Sequence, residues 1–266
     1  MHKKNRIIRK KGSYKLINGD CLEIMKQIPD HSVDMILCDP PYGTTACKWD
    51  NIIDFNSMWK CINRIVKKKG AVVLFGNEPF SSSLRMSNIE NYKYDWKWIK
   101  KSPTGFQTVK TQPMRKYEDI MVFSDGTVAT GSKRNMFYYP QGLIEINKTK
   151  KVGRKPEYIG QRPNQEGKVY IAKYSNYPVN LLEFDRERDT VHPTQKPVLL
   201  LEYLVRTYTK EKQIVLDFTM GSGSTGVACI NTNRKFIGIE LDEHYFDVSC
   251  GRMEQAYQEK QDYGEW

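Results

Sequence analysis

Asp39, Pro40, Pro41 and Tyr42 form a short cluster whose chemistry suits the recognition of a planar base. An apolar run, Val33–Cys38, precedes the cluster and predicts a buried strand. A carboxylate at the carboxyl end of such a strand lies where open α/β sheets bind ligands. The two prolines fix the backbone and remove two N–H donors, so only carbonyl acceptors remain beside the aromatic ring. This arrangement fits a base with an exocyclic amino group, which offers two N–H donors and a π face.

A glycine-rich turn, 217–226, joins a predicted strand to a predicted helix and indicates a second site. Its glycines match the spacing GxGxxG at Gly221, Gly223 and Gly226. Glu240 ends the next predicted strand, 19 residues after the first of these glycines. The pattern is typical of a turn that binds an adenosine cofactor, with the downstream acid bonding a ribose hydroxyl.

Two adenosine cofactors are compatible with this turn, NAD and S-adenosylmethionine. NAD requires a helix N-terminus that is open to its pyrophosphate. S-adenosylmethionine has no phosphate, but its sulfonium and amino groups suit the carboxylates of Asp217 and Asp39. Because hydride transfer gives no reason for the Asp-Pro-Pro-Tyr cluster, the sequence favours S-adenosylmethionine.

Strand and helix patterns alternate over most of the chain, which predicts a parallel sheet with helices on both faces. The predicted strands are 14–18, 33–38, 71–75, 214–218 and 236–240, and an antiparallel edge hairpin of 92–100 with 116–124. The predicted helices are 22–28, 55–69, 79–89, 197–208, 225–231 and 243–258. In 124–190 no amphipathic period persists, so we interpret this segment as an inserted subdomain.

The charge distribution favours a phosphate-rich partner. The net charge is +11, and residues 1–15 carry seven Lys and Arg and no acid. Residues 97–116 carry six and no acid, and 133–173 carry ten against three Glu. The six cysteines form no CxxC pair, so neither a metal site nor a disulfide framework is indicated. Since no apolar run reaches membrane-spanning length, we expect a soluble, cytoplasmic protein with no membrane partner.

The order of these motifs resembles the beta class of amino-group DNA methyltransferases. Asp-Pro-Pro-Tyr comes first, the irregular basic segment follows, and the glycine-rich turn comes last. His192–Pro197, with the sequence His-Pro-Thr-Gln-Lys-Pro, lies between the last two and is another recurring element of that class. The resemblance spans residues 14–258. It departs from the family at Tyr117, where the family commonly has His before Glu.

The resemblance implies an α/β fold of the S-adenosylmethionine-dependent methyltransferase type, which is Rossmann-like. Its sheet has seven strands and is mostly parallel, with an antiparallel edge hairpin, and the chain order is circularly permuted. The implied domains are a basic arm at 1–13, a catalytic half at 14–123, a target-recognition region at 124–190 and a cofactor-binding half at 191–260.

The implied reaction moves a methyl group from S-adenosylmethionine to N6 of an adenine flipped out of duplex DNA. The implied catalytic residues are Asp39, Pro40, Pro41 and Tyr42. The implied cofactor-binding residues are Asp20, Asp39, Thr194, Gln195, Lys196, Asp217, Phe218, Gly221, Ser222, Gly223, Ser224 and Glu240. The predicted contacts with double-stranded DNA are Lys110, Arg115, Lys133, Arg134, Tyr138, Lys151, Arg154 and Lys155. We expect Tyr42 and the glycine turn to face one shared cavity.

Several alternatives stay open at the level of the sequence. N4-cytosine methylation uses the same geometry, but family members of that kind usually carry Ser in place of Asp39, so Asp39 favours adenine. RNA as the substrate, a catalytically dead DNA-binding scaffold and an NAD-dependent oxidoreductase are the others. A homodimer and a cognate restriction endonuclease are further partners that the resemblance allows and the sequence does not decide.

Overall fold

The computed structural model describes residues 8–43, 50–153, 167–187 and 195–262. The chain divides into two compact units. The smaller unit is Pro140–Val179, and the larger unit takes in the chain up to Tyr139 and from Asn180 onward. The larger unit is a sheet between two layers of helices, and the smaller unit contains a two-stranded ribbon.

The large sheet has nine strands within the described residues. They are β1 (Ile8–Lys11), β2 (Tyr14–Asn18), β3 (Val33–Cys38), β4 (Val66–Gly76), β5 (Tyr92–Thr104), β6 (Arg115–Phe123), β9 (Leu181–Glu183), β10 (Ile214–Asp217) and β11 (Lys235–Glu240). The ribbon of the smaller unit is β7 (Ile144–Lys151) with β8 (Val169–Ser175). The helices are α1 (Cys21–Met25), α2 (Phe55–Ile65), α3 (Phe80–Ser87), α4 (Val198–Tyr208), α5 (Ser224–Asn231) and α6 (Glu243–Asp262).

The strand order is β1-β2-β11-β10-β3-β4-β6-β5-β9, and most neighbours are parallel. The antiparallel pairs are β1 with β2, β4 with β6, and β5 with β6. The predicted mixed sheet with its antiparallel hairpin is therefore confirmed, and β1 and β9 extend it beyond the seven predicted strands. Within the described ranges, no helix has the length and apolar character that crossing a membrane requires.

The central strand β3 shows why the sheet lies between two helix layers. All six of its residues are buried, as in a parallel strand that is covered on both faces. Met35 and Leu37 join the hydrophobic core that contains residues of α4, α5 and α6. Ile36 and Cys38 join the core on the other face, which contains residues of α1, α2 and α3.

The boundary between α2 and β4 differs from the prediction of a helix over 55–69. The helix ends at Ile65, and β4 begins at Val66, which pairs with Val33 of β3. The buried carboxylate of Asp34 also contacts the Lys67 ammonium at 2.7 Å. These sheet contacts hold the basic residues after α2 in an extended conformation, although their composition suits the last turn of a helix.

The segment 124–190 contains three strands where the sequence predicts none. Most side chains of β7 and β8 are exposed, so these strands lack the alternation of buried and exposed residues that marks a strand in a sequence. β9 has only three residues and is held by parallel pairing with β5. The Trp98 indole donates a hydrogen bond to the Phe184 carbonyl beside this pairing, at 2.8 Å.

Candidate active site

The order of the strands creates a crevice between β3 and β10. From β10 the chain passes through α5 to β11 on one side, and from β3 it passes through α2 to β4 on the other. Such a reversal opens a ligand-binding crevice at the carboxyl ends of the strands. A cavity of about 340 Å³ lies there, and Tyr42 and Gly221 both line it. The shared cavity that the sequence predicts is therefore present.

Asp39 follows β3 and is held by neighbours from three parts of the chain. Its Oδ1 accepts a hydrogen bond from the Tyr42 hydroxyl, and its Oδ2 contacts the Lys196 ammonium. The Thr219 hydroxyl donates to the Asp39 backbone carbonyl at 3.1 Å. Burial raises the pKa of Asp39; Lys196 works against this rise, and the nearby Glu118 adds to it. The ionisation of Asp39 therefore depends on the balance between burial and its charged neighbours.

Tyr42 forms an aromatic wall beside Asp39. Its ring centroid lies 5.0 Å from that of Phe80 on α3. Burial, followed by the charge of Asp39, raises the pKa of Tyr42 well above its ordinary value. The phenol therefore keeps its proton at neutral pH and donates to the carboxylate.

Asp217 ends β10 and is the most deeply buried carboxylate of the cavity, at 3% exposure. It accepts hydrogen bonds from the Thr225 hydroxyl at 2.7 Å and from the Thr219 backbone N–H at 3.1 Å. Burial raises the pKa of Asp217 to about 7, although these donors oppose the rise. This carboxyl group therefore changes its charge near neutral pH, and a positive ligand charge would favour the ionised form.

Glu240 holds the glycine-rich turn against the end of β11. One carboxylate oxygen accepts from the Gly221 backbone N–H at 2.8 Å, and the other accepts from the Asp242 N–H at 2.9 Å. Burial raises the pKa of Glu240, and the two backbone donors oppose this rise. Each oxygen keeps a second lone pair for a ligand hydroxyl.

Asp20 follows β2, whose end lies beside Glu240 at the end of β11. The Gly19 N–H donates to the Glu240 carbonyl at 2.8 Å, so the ends of β2 and β11 meet. Asp20 caps α1 by accepting from the Leu22 N–H at 2.8 Å and the Glu23 N–H at 3.2 Å. It lines the same cavity as Glu240, and its carboxylate keeps acceptor capacity for a ligand donor.

The family model described as DNA methylase, N6_N4_Mtase, matches residues 33–250 of this chain. This match takes in both motifs and the crevice between them. The chain belongs to the DNA methylase family.

Curated relatives of this methylase match over most of its length. It is 31% identical over 259 residues to the DNA adenine methyltransferase YhdJ of Escherichia coli (strain K12), with 91% of this chain and 83% of the relative covered. It is 26% identical to the Type II methyltransferase M.BglII of Bacillus subtilis, with 88% and 67% covered.

Two solved structures share the fold of this chain over most of its length. The PvuII DNA methyltransferase, which is cytosine-N4-specific, superposes with a TM-score of 0.64 at 15% identity, with 94% of this chain and 93% of that chain covered. The M1.HpyAVI–SAM complex superposes with a TM-score of 0.59 at 24% identity, with 90% and 99% covered. Because the sequence identities are this low, the two superpositions show only that this chain has the same fold.

The cavity gathers most of the site residues predicted from the sequence. Those that line it are Asp20, Asp39, Pro40, Pro41, Tyr42, Gln195, Lys196, Asp217, Phe218, Gly221, Ser222, Ser224 and Glu240. The structure places Gly223 against Ser249 of α6 instead, with a backbone φ of +82°. This positive φ strains any residue with a Cβ, and a Cβ here would also lie only 3.0 Å from the Ser249 Cβ, so backbone and packing both favour glycine. Thr194 lies outside the described residues.

Two of the predicted cofactor residues bond to Arg252 of α6, and a third bonds to one of these two. The Arg252 guanidinium donates to the Ser222 carbonyl at 2.9 Å and to the hydroxyls of Ser222 and Ser224 at 3.0 Å each. The Ser222 hydroxyl donates to Gln195 at 3.2 Å. These contacts fix the shape of the turn, which sequence spacing alone does not show.

The cavity also contains residues to which the sequence analysis gives no role. Thr219 joins the two motifs through Asp39, and Asp50 lines the cavity while accepting from the Gly43 N–H at 2.8 Å. Glu118 contacts Lys196 behind the cavity. Thr219 is recognisable only as a polar residue inside the glycine-rich turn, and Glu118 as an acid at the start of an apolar strand.

The residues predicted to contact DNA are spread over several exposed segments. Lys110 and Arg115 are exposed in the β5–β6 hairpin, Lys133 and Arg134 in the loop after β6, and Lys151 in β7. The Tyr138 ring packs 6.2 Å from the Tyr208 ring, which leaves part of it exposed. Arg154 and Lys155 lie outside the described residues.

Proposed function

We propose that this methylase transfers a methyl group from S-adenosylmethionine to N6 of an adenine that is flipped out of duplex DNA. One observation carries the proposal: the Asp39 carboxylate and the buried Asp217 and Glu240 carboxylates line a single cavity. The first suits a base with an amino group, and the other two suit a positively charged adenosine cofactor. The relative named DNA adenine methyltransferase YhdJ supports adenine as the target.

The described residues fit S-adenosylmethionine at the β10 side of the cavity. Asp217 offers a carboxylate whose ionised form a sulfonium or ammonium group stabilises. Glu240, at the end of β11, offers its free lone pairs to the ribose hydroxyls, and Asp20 offers an acceptor to the adenine amino group. When bound, S-adenosylmethionine supplies the methyl group, so that an N–C bond forms as the sulfonium C–S bond breaks.

Asp39 and Pro40 orient the target amine. The lone pair of an exocyclic amine is delocalised into the ring, so the nitrogen is a poor nucleophile. When the Asp39 carboxylate and the Pro40 carbonyl accept its two hydrogens, the nitrogen becomes more tetrahedral and its lone pair points out of the ring. Placement and acceptor electrostatics of this kind supply several kcal/mol of a barrier.

The amine loses one proton after it gains the methyl group. The carboxylate of Asp39 already accepts from this nitrogen, so the proton leaves along that hydrogen bond and passes to water. Tyr42 stacks on the flipped base, which the enzyme must take out of the duplex because the target atom is unreachable inside it. No covalent intermediate between enzyme and base is needed.

N4-cytosine is the second candidate target, since its amine presents the same two hydrogens. The structural neighbour PvuII DNA methyltransferase is described as cytosine-N4-specific. Asp39 favours adenine, because cytosine-N4 members of the family usually carry Ser at that position. A cognate restriction endonuclease and a homodimer stay predictions.

We also assign DNA contacts to the β7–β8 ribbon. Thr149 pairs with Ile171 on one face, and Lys150 pairs with Tyr170 on the other. The exposed fractions of Val169, Tyr170 and Ile171 are 65%, 48% and 64%. Two-stranded ribbons with both faces exposed are marginally stable alone, and a ribbon of this width fits the major groove of DNA. Apolar and aromatic side chains there contact base edges, while the lysines of β7 contact phosphates.

The test of the proposed function is the identity of the methylated nucleoside. Purified protein is incubated with mixed-sequence duplex DNA and S-adenosylmethionine labelled in its methyl group, and the DNA is then digested to nucleosides. We expect the label in N6-methyldeoxyadenosine. Label in N4-methyldeoxycytidine would replace the adenine proposal with its rival. In a parallel incubation with RNA in place of DNA, label in RNA but not in DNA would overturn both.

A further inference from the structure

Four charged side chains form a buried row that ends at Asp39. The Lys196 ammonium contacts Asp39 Oδ2 and lies 3.3 Å from Glu118 Oε2. The other oxygen of Glu118 contacts the Lys100 ammonium. The row therefore alternates in sign, Lys100, Glu118, Lys196, Asp39, and its formal charges sum to zero.

Three members of this row are almost fully withdrawn from water. The side chains of Lys100, Glu118 and Lys196 are 7%, 10% and 7% exposed. The Lys196 ammonium also lies 5.1 Å from the centroid of the Phe75 ring. Burying charges costs several kcal/mol per ion, and the loss of one partner leaves the other uncompensated. Such a row stabilises a fold only at a high cost in free energy. We therefore look for its function at Asp39, where the row ends.

We propose that Lys196 is a positioning residue that holds Asp39 ionised and correctly aimed, and that Glu118 and Lys100 hold Lys196 in place. The inference rests on the proposed function, because it concerns the acceptor that orients the target amine. It differs from the prediction that Lys196 contacts the cofactor. The ammonium of Lys196 is directed to two protein carboxylates, those of Asp39 and Glu118.

The charge of Lys196 is needed because Asp39 has other acidic neighbours. The titratable groups around Asp39 in the described residues are Tyr42 and Cys38 on its own segment, Glu118 of β6, Asp217 of β10, and Lys196 before α4. Only an ionised carboxylate accepts hydrogen bonds at both oxygens without donating one. A protonated Asp39 would offer its own O–H to the cavity and would lose one acceptor site for the amine.

The alternating row also shows why Glu118 is needed. Without a second carboxylate, a buried lysine next to one aspartate would be free to turn towards the cavity, where the sulfonium cofactor is also positive. Glu118 holds the Lys196 ammonium through one carboxylate oxygen, and Lys100 contacts its other oxygen and balances the negative charge that Glu118 adds. The positive charge is thereby held between Asp39 Oδ2 and Glu118 Oε2.

The experiment compares the pH dependence of methyl transfer in four proteins. They are the wild type, Lys196→Met, Lys196→Arg, and the control Lys60→Met, which changes an exposed lysine of α2. Single-turnover transfer is measured with saturating DNA and S-adenosylmethionine from roughly pH 5.5 to 9. For Lys196→Met we expect a loss of about 10- to 100-fold at pH 6 that recovers towards alkaline pH. The Lys196→Arg and control proteins should keep most of the acid-side activity.

Two further measurements distinguish a positioning role of Lys196 from a direct role in cofactor binding. The Asp39 carboxyl is followed by ¹³C NMR titration, which needs no activity, and S-adenosylmethionine binding is followed by calorimetry. In Lys196→Met the Asp39 titration should move to higher pH, and in the double variant Lys196→Met/Glu118→Gln it should move part of the way back. Cofactor affinity should change less than about three-fold.

The outcomes separate this inference from the proposed function. An Asp39 titration that does not move in folded Lys196→Met protein overturns the inference, whatever the wild-type activity. A loss of cofactor affinity without a change in that titration restores Lys196 as a cofactor ligand. A moved titration in a protein that methylates no DNA would uphold the charge pairing and reject the proposed function.

Discussion

Three of the carboxylates that line the cavity belong to Asp39, Asp217 and Glu240, and burial raises the pKa of each of these three. For Asp39 the opposing charge is Lys196, whereas for Glu240 backbone N–H groups oppose the rise. For Asp217 the opposing groups are hydrogen-bond donors, among them the Thr225 hydroxyl and the Thr219 backbone N–H, and its pKa is nevertheless raised to about 7. Each carboxylate thus has a different partner, which suits the different roles proposed for the three: holding an amine, a ribose and a positive charge.

The pKa of Asp217 predicts a pH dependence for cofactor binding. A sulfonium cofactor favours the ionised carboxylate, so below pH 7 its binding must release a proton. Affinity for S-adenosylmethionine should therefore rise by up to about ten-fold per unit between about pH 5 and 7, and level off above that range. Calorimetry on the wild type and Asp217→Asn measures this, with S-adenosylhomocysteine, which lacks the sulfonium charge, as the comparison. Equal slopes in both proteins would assign the effect to another group.

At the scale of elements, the β7–β8 ribbon gives the most direct test of DNA contact. The variant Lys150→Gln/Lys151→Gln removes two exposed cations from β7. Its matched control, Lys60→Gln/Lys235→Gln, removes the same charge from exposed positions in α2 and β11. If the two ribbon lysines contact phosphates, the slope of log affinity against log salt should decrease by roughly 2 in the first variant only. The same decrease in both variants would mean that total charge matters and the ribbon does not.

The sequence predicts those elements whose burial leaves a periodic pattern. All seven strands with apolar runs lie in the sheet, and each predicted helix is present with shifted ends. The sequence does not predict the β7–β8 ribbon, because both faces of the ribbon are exposed to water. It does not predict β9 either, because this strand is very short and is held by its pairing with β5. The predicted end of α2 is wrong because Asp34 and Val33 of β3, both distant in sequence, decide the conformation of the basic residues after it.

The candidate site, too, could be predicted only in part from the sequence. Residues with a motif, such as Asp39 and Gly221, are found from local sequence, and the structure brings them into one cavity. The contacts between Lys196 and Glu118 and between Arg252 and Ser222 join segments that are far apart in the chain. No spacing rule gives such contacts, because they depend on which strands become neighbours.

At the scale of the whole molecule, the protein combines two compact units with a strong positive net charge. The larger unit supplies the crevice and its carboxylates, and the smaller unit supplies the exposed ribbon. The net charge of +11 attracts the phosphate backbone regardless of sequence. The acidic cavity inside a basic protein is therefore suited to a positive cofactor, while the rest of the chain attracts a polyanion.

We propose above all that Asp39 orients the target amine and is not needed to hold the cofactor. Its most direct test measures single-turnover methyl transfer to duplex DNA and S-adenosylmethionine affinity on the same preparation of Asp39→Ala. We predict that transfer falls by about 10²- to 10³-fold or more, while the cofactor dissociation constant changes by less than about three-fold. Loss of transfer together with loss of cofactor binding would make Asp39 a structural residue, and retained transfer would contradict the mechanism.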